Sequence, residues 1–423
     1  MPSDSAPDDQ ADDPHAAKGP LAGIRVLELA TVLMGPLGSQ LLGDLGAEII
    51  KVEGSKLDSS RVMGGGPHRE LSGIALNIHR NKRSISLDLK TQRGKEIFLK
   101  LLAGSDVLIT NLRPGPLARL GFDYEQLAVS HPGLIFCQAQ GFSSDGGDAD
   151  RPAYDDIIQA ATGMPALNQA VLGTMGFFPS LIADKVAGLM ISYGVLAALV
   201  HRERTGLGQC VEVPMFDAVL SFNLVEHLAK GTTPGEPAGY SRIMTKHRGP
   251  HATLDGYIAM MPYSDEHWQS LFGAVGREEI LERPWFADHR SRLLEADRVY
   301  GDLAEVIAER TTEDWMRLCD EHGIPANRVP TLGEIVDDPA LHRGVLVDAE
   351  HPVVGSYRQI KPAVTLSATP LSVRRPAPLV AEHTVEILAG LGYSREDIDG
   401  LIADRVVRTV KVPRAADPVS SEG

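Results

Sequence analysis

The stretch IRVLELATVLMGPLGSQLLGDLGAEIIKVE, residues 24–53, decides the fold. IRVLELA is an apolar run rich in strand formers, GSQLLGDLGA reads as a helix closing on glycine, and EIIKVE returns to strand composition. Strand, helix and strand in one such span make a βαβ unit, two parallel strands bridged by a covering helix. The alternation continues downstream. SISLDL (84–89) is a third strand and precedes the helical RGKEIFLKLLAGS (93–105). DVLITNL (106–112), a helix near GPLARLG (115–121) and the strand LIFCQAQGF (134–142) follow. Strands alternating with helices imply a mostly parallel sheet covered on both faces. Ligands of such sheets bind outside the carboxyl ends of the strands.

The remainder sorts by composition. VAGLMISYGVLAALV (186–200) is the longest apolar run and reads as a buried helix, too short to span a bilayer. After the turn RTGLGQ (204–209), CVEVPMFDAVLSFNL (210–224) reads as a strand and then a helix. GTTPGEPAG (231–239) shifts to Gly and Pro and marks a linker. Beyond it lie HATLDGYIAMMP (251–262), a hairpin strand, and amphipathic helices carrying Trp268, Trp285 and Trp315. HRGVLVDAEHPVVGSYRQIKPAVTLS (342–367) is strand-rich and precedes a final helix pair. The expected organisation is an acidic disordered leader (1–19), a large domain (20–230), a small domain with linkers (231–330), a segment completing the large domain (331–410) and a flexible tail (411–423).

A chain of 423 residues is too long for one small core. Its formal charge of −15 lacks the basic footprint that nucleic acid or an anionic membrane demands. The N-terminus has neither the basic start nor the apolar centre of a secretory signal. Cys137, Cys210 and Cys319 are far apart and form no CxxC, which suits reduced thiols in a cytoplasm.

Common chemical motifs are missing. The glycines after the first strand do not form GxGxxG, so Glu53 lacks the context of a dinucleotide site. There is no Walker loop, HExxH or GxSxG. His247 and His251 in HRGPH lie in loop-forming sequence, and no metal site is expected. Carboxylate chemistry remains: a desolvated carboxylate near oxyanion donors attacks acyl groups to give a mixed anhydride.

Several stretches together resemble the CaiB/BaiF family, the class III CoA-transferases, to which the α-methylacyl-CoA racemases are related. They are residues 20–54, NKRSISLDLKTQRGKE (81–96), TNLRPGPLARLGFDYEQL (110–127), AYDDIIQAATG (153–163), residues 183–220 and HGIPANRVPTLGEIVDDPALHRG (322–344). The likeness runs over nearly the whole chain. It implies an α/β fold: a Rossmann-like large domain with a parallel sheet plus a smaller α+β domain, the ring-shaped chain interlocked with a second copy in a homodimer.

The resemblance assigns the nucleophile to Asp184, ahead of the long apolar helix, and gives Tyr154 as its upstream landmark. A helix N-terminus would help keep such a carboxylate ionised. Racemases of the family carry histidine where this chain has Tyr154. Tyrosine, with its pKa near 10, suits proton shuttling at neutral pH poorly. The implied activity is transfer of CoA between an acyl-CoA and a carboxylic acid, through aspartyl anhydride and aspartyl-CoA intermediates. Racemisation and a catalytically silent CoA-binding protein stand as alternatives. CoA is implied as substrate, with no permanently bound cofactor, held by Thr31, Val32, Leu33 and Met34 on the first loop and by Leu87, Lys90, Asn111, Leu112, Arg113 and Arg119. Asp155 is expected near the thiol arm and Asp156 as a helix-start charge. Gly54 stands where many members carry an adenine-stacking arginine, with Lys56 as the nearest substitute. Leu33 replaces the glutamine of oxalate-specific members, so a bulkier, apolar acyl group is expected, with GTMGFFPS (173–180) helping to line its pocket.

Overall fold

Strand β1 (Arg25–Leu29), helix α1 (Met34–Asp44) and β2 (Glu48–Glu53) form the βαβ unit read from residues 24–53. The structure is a computed structural model and describes residues 19–410. The expected leader, apart from Gly19, and the expected tail lie outside the described residues. Next come α2 (Gly73–Ile78), β3 (Lys82–Leu87), α3 (Gln92–Ala103), β4 (Val107–Thr110), α4 (Pro114–Leu120), α5 (Tyr124–Ser130) and β5 (Ile135–Gln140). They are followed by α6 (Asp155–Ala161), α7 (Met164–Leu172), α8 (Ile182–Thr205), β6 (Cys210–Pro214) and α9 (Met215–His227). β7 (His251–Ala252), β8 (Tyr257–Met260) and β9 (Ala326–Arg328) pair antiparallel in one small sheet. β10 (Leu346–His351) and β11 (Gly355–Ile360) form a hairpin, and β12 (Val407–Arg408) follows the helices Thr384–Gly390 and Arg395–Ala403.

The main sheet has the order β12-β3-β2-β1-β4-β5-β6. Every pairing in it is parallel except that of β12 with β3. Chain order reverses between β1 and β4, the switch point at which such sheets open a crevice for ligands. Strands β1 to β5 are largely buried, as a covered parallel sheet requires, whereas most of the edge strand β6 is exposed or half-buried.

On one face of the sheet, α1 and α8 pack closely at Gly38. A Cβ there would lie 2.5 Å from Ile191 Cγ2. The opposite face carries α3 and the C-terminal helices, whose Phe98, Leu102, Leu388 and Leu401 join one apolar core.

α8 is longer than its apolar run indicated. It has 24 residues, and by length and composition alone it suffices to cross a bilayer, contrary to the reading of residues 186–200. Its first turn, with Asp184 and Lys185, is polar and extends the helix beyond the apolar window. More than half of that window is buried within the protein.

Two compact units are present. One takes residues 19–158, 181–219 and 343–410, the other residues 159–180 and 220–342. The second unit has its own core, in which Trp268 and Trp315 are buried with Leu271, Phe272 and Leu303. Its limits differ from the compositional break at residue 231. The division falls inside α9, where composition does not change, and the unit also takes in α7.

Candidate functional site

Asp184 lies in the first turn of α8 rather than ahead of the helix, and only 6% of it is exposed. Across from it, Tyr154 starts α6: its carbonyl accepts from the Ile157 and Ile158 N–H groups. That turn aims Asp155 at α8, where its Oδ1 accepts from the Ala183 N–H at 2.7 Å and the Asp184 N–H at 3.1 Å. The carboxylate of one helix thereby caps the other and satisfies two of the N–H groups every helix start leaves over.

These contacts correct the expected electrostatics. The N–H groups at the start of α8 are taken by Asp155, so the helix terminus does not hold Asp184 ionised. Burial raises the Asp184 carboxyl to about 7, and the neighbouring Asp155 charge adds to the rise. The Met34 backbone N–H donates to Asp184 and opposes the shift. Near neutrality the group is therefore poised between acid and carboxylate.

Met34 is the first residue of α1, so its N–H is one that the helix cannot use. The loop that delivers it is held at several points. Thr31 and Asn111 are clamped across the switch point: Thr31 N–H donates to Asn111 Oδ1 at 2.9 Å, and Asn111 Nδ2 donates to the Thr31 carbonyl at 2.7 Å. Val32 has φ 67°, a strained conformation for a β-branched residue. Its N–H donates to Asp58 Oδ1 at 3.0 Å.

Beneath the loop lies a buried ionic network absent from the sequence reading. Lys51 Nζ is 2.8 Å from Glu28 and 3.1 Å from Asp58, and it donates to the Ala30 carbonyl at 2.7 Å. Lys82 Nζ lies 2.7 Å from Glu28 and donates to the Pro36 carbonyl at 2.8 Å. The two ammonium groups hold the Glu28 carboxyl down at about 2 although burial favours the neutral form. The available signal was Glu28, Lys51 and Lys82 standing in three consecutive strands of a sheet expected to be covered, since charged groups buried there must find partners. Glu53 is part of the same sheet face and structural: both its oxygens accept from Arg61, at 2.8 and 2.7 Å.

The other expected residues fall as follows. Leu33 and Met34 are buried, and Leu87 ends β3 buried. Met34 belongs to α1 and not to the loop. Leu112 offers its carbonyl to Gln138 Nε2 at 2.7 Å. Arg113 caps the start of α4 and donates to the Asp150 carbonyl at 2.9 Å. Lys90, Arg113 and Arg119 are exposed. Tyr154 is 67% exposed, and Asp156, beside it, begins α6 as a solvent-facing charge. In the second unit, residues 173–180 are tied to Gln159, whose Oε1 accepts from the Phe178 N–H at 2.9 Å.

A cleft of about 610 Å³ adjoins the α1 and α8 starts and is lined mainly by apolar groups, among them Leu33, Leu37, Ile74, Leu181 and Leu189, with Lys185 at its wall. No cluster of His, Cys, Asp and Glu suited to a metal occurs among the described residues. The three cysteines are unpaired.

A sequence model of CoA-transferase family III matches residues 21–384. The chain is 30% identical over 393 residues to the probable fatty acyl-CoA transferase Rv3272 of Mycobacterium tuberculosis, spanning 88% of this chain and 98% of that one. It is 31% identical over 390 residues to succinate–glutarate CoA-transferase of Agrobacterium fabrum, spanning 88% and 96%. The crystal structure of a CaiB/BaiF family protein from Brucella suis superposes with a TM-score of 0.76 at 28% identity, spanning 88% of this chain and 100% of that one. The chain therefore belongs to family III of the CoA-transferases and is an enzyme of that class.

Proposed function

We propose that this enzyme moves CoA from an acyl-CoA to a free carboxylic acid by covalent catalysis on Asp184. The observation that carries the reading is the buried Asp184 carboxyl, poised near neutrality and touched by the Met34 N–H. Its carboxylate attacks the thioester carbonyl. The tetrahedral oxyanion collapses, the C–S bond breaks, and CoA leaves as thiolate from an acyl-aspartyl anhydride. The thiolate then attacks the aspartyl carbonyl, releasing the donor acid as carboxylate and leaving an aspartyl-CoA thioester. The acceptor carboxylate attacks that thioester and expels the thiolate, which takes the new acyl group and regenerates Asp184. Backbone N–H groups at the α1 start are suited to the oxyanions because they are fixed before the reaction begins. The apolar cleft and Leu33 favour an apolar acyl group. CoA serves as substrate rather than resident cofactor, in a cytoplasmic homodimer.

The test is trapping. With acyl-CoA present, hydroxylamine or borohydride should modify Asp184, and Asp184→Ala should abolish transfer while leaving the fold intact. Full activity in Asp184→Ala would refute the site. Deuterium exchange at Cα without acyl exchange would assign the enzyme to racemisation, the reading that Tyr154 argues against. Neither signal would leave a CoA-binding protein.

A further inference from the structure

Residues 30–33 carry the chain from β1 to α1 and decide where the Met34 N–H points. We propose that Asp58, anchored on Lys51, is a positioning residue: it holds Val32 in a left-handed turn and so aims the Met34 N–H at Asp184. The role rests on the part proposed for Asp184 in transfer.

Geometry is the first support. Val32 has φ 67°, a conformation uncommon for any side chain and an outlier for a β-branched one. Such a turn persists only where its surroundings hold it. Asp58 Oδ1 accepts from the Val32 N–H and from the Ser60 N–H, both at 3.0 Å. Asp58 Oδ2 lies 3.1 Å from Lys51 Nζ, and Lys51 also donates to the Ala30 carbonyl at 2.7 Å. One buried ammonium thus grips the loop twice, directly at Ala30 and through Asp58 at Val32. Leu33 stands at the cap position of α1 and makes no side-chain cap hydrogen bond, so the N–H groups at the helix start are left to the site.

Electrostatics is the second. Burial opposes ionisation of Asp58, but Lys51 and the Val32 and Ser60 N–H groups hold its carboxyl below the usual carboxylate range. Burial also disfavours the Lys51 ammonium, yet the charges of Glu28, Asp58 and Glu53 push it above an ordinary lysine. Asp58 and Lys51 therefore keep their charges throughout the range in which Asp184 titrates. His79, whose Nε2 is 3.0 Å from Ser60 Oγ, stays neutral there, because burial and then Lys51, Lys82 and Arg61 lower it well below the usual histidine value. Asp184 itself is faced by Asp155 from α6 and by the Met34 N–H from α1. Of these, the Met34 N–H alone favours the carboxylate, so a loop that drifts leaves Asp184 harder to ionise.

The experiment follows the Asp184 carboxyl by carbon-13 NMR of aspartate-labelled full chain, assigned with Asp184→Asn, alongside kcat, KM and melting temperature. The variants are Asp58→Asn and Asp58→Ala, each with and without Val32→Gly. Asp58→Ala should move the Asp184 titration up from about 7 by on the order of one unit. It should lower kcat about 10²-fold, the scale of a small misplacement at a reacting centre, with far less effect on KM. Asp58→Asn keeps an acceptor for Val32 and should shift both in the same direction by less; it carries the test if Asp58→Ala does not fold. Glycine adopts a positive φ without strain, so Val32→Gly should return the titration toward 7 and recover part of kcat in either background. Folded Asp58 variants with a wild-type Asp184 titration would overturn the inference and leave the transferase reading untouched. A loss of kcat that Val32→Gly does not relieve would also overturn it, since Asp58 would then only support the fold. A shifted titration in a protein whose wild type transfers no acyl group would keep the inference and sink the transferase reading.

Discussion

Asp184 and Asp155 have opposite duties on the same few atoms. Asp155 Oδ1 caps α8, and the charge on the same carboxylate makes ionisation of Asp184 harder. Since only the carboxylate attacks a thioester, transfer should rise with pH through about 7 and level off above it. Asp155→Asn separates the two duties, because the amide oxygen still accepts from Ala183 and Asp184 while the charge is gone. The Asp184 carboxyl then falls, and the rising limb of kcat against pH should move to lower pH by on the order of one unit. An unmoved limb would show that Asp155 does not act on Asp184 electrostatically. None of this balance is visible in the letters AYDDIIQAATG. Composition marks the acids, but burial of Asp184 and the reach of Asp155 come from two helices that the chain brings together only on folding.

At the scale of elements, the decisive contact is α1 against α8. α1 delivers the Met34 N–H and α8 delivers Asp184, so the seat between the helices sets the geometry of the site. Gly38 permits that seat. An added methyl would fall 2.5 Å from Ile191 Cγ2 and 2.8 Å from its Cβ, both inside contact distance. Gly38→Ala should therefore destabilise the protein by about 1–3 kcal/mol, the usual cost of overpacking. It should also lower kcat more than the affinity for CoA. Pairing it with Ile191→Gly removes both clashing atoms at a cost of its own, so in urea denaturation and kcat the double variant should lose less than the sum of the two single losses; strictly additive losses would place the defect elsewhere. The elements themselves were legible from local signals, because strand and helix periodicities and flanking glycines are properties of short stretches. The strand order, the Thr31–Asn111 clamp and the network around Lys51 and Lys82 were not, since each joins residues distant in the chain.

For the whole molecule, α8 poses a question of covering. One side packs on α1, with Ala187, Gly188, Ile191 and Val195 buried. The other presents Met190, Tyr193, Ala197 and Val200 to solvent on a single helical face, with Tyr193 71% exposed. A helix apolar on both sides is normally buried on both, and a continuous exposed apolar face marks a docking surface. The motifs led to the expectation of a homodimer, and this face supplies a physical reason for one. Sequence alone could not locate it, because residues 186–200 read as uniformly buried until α1 was seen to cover only one side. Sedimentation of the wild type at micromolar concentration should thus give a species of twice the 45.5 kDa protomer mass. Tyr193→Arg sets a charge in the middle of the proposed interface, where desolvation without a partner costs several kcal/mol. That variant should sediment as protomer or be lost to aggregation. A stable 45.5 kDa wild type would refute the dimer. A Tyr193→Arg protein that remains fully dimeric would move the interface off this face of α8.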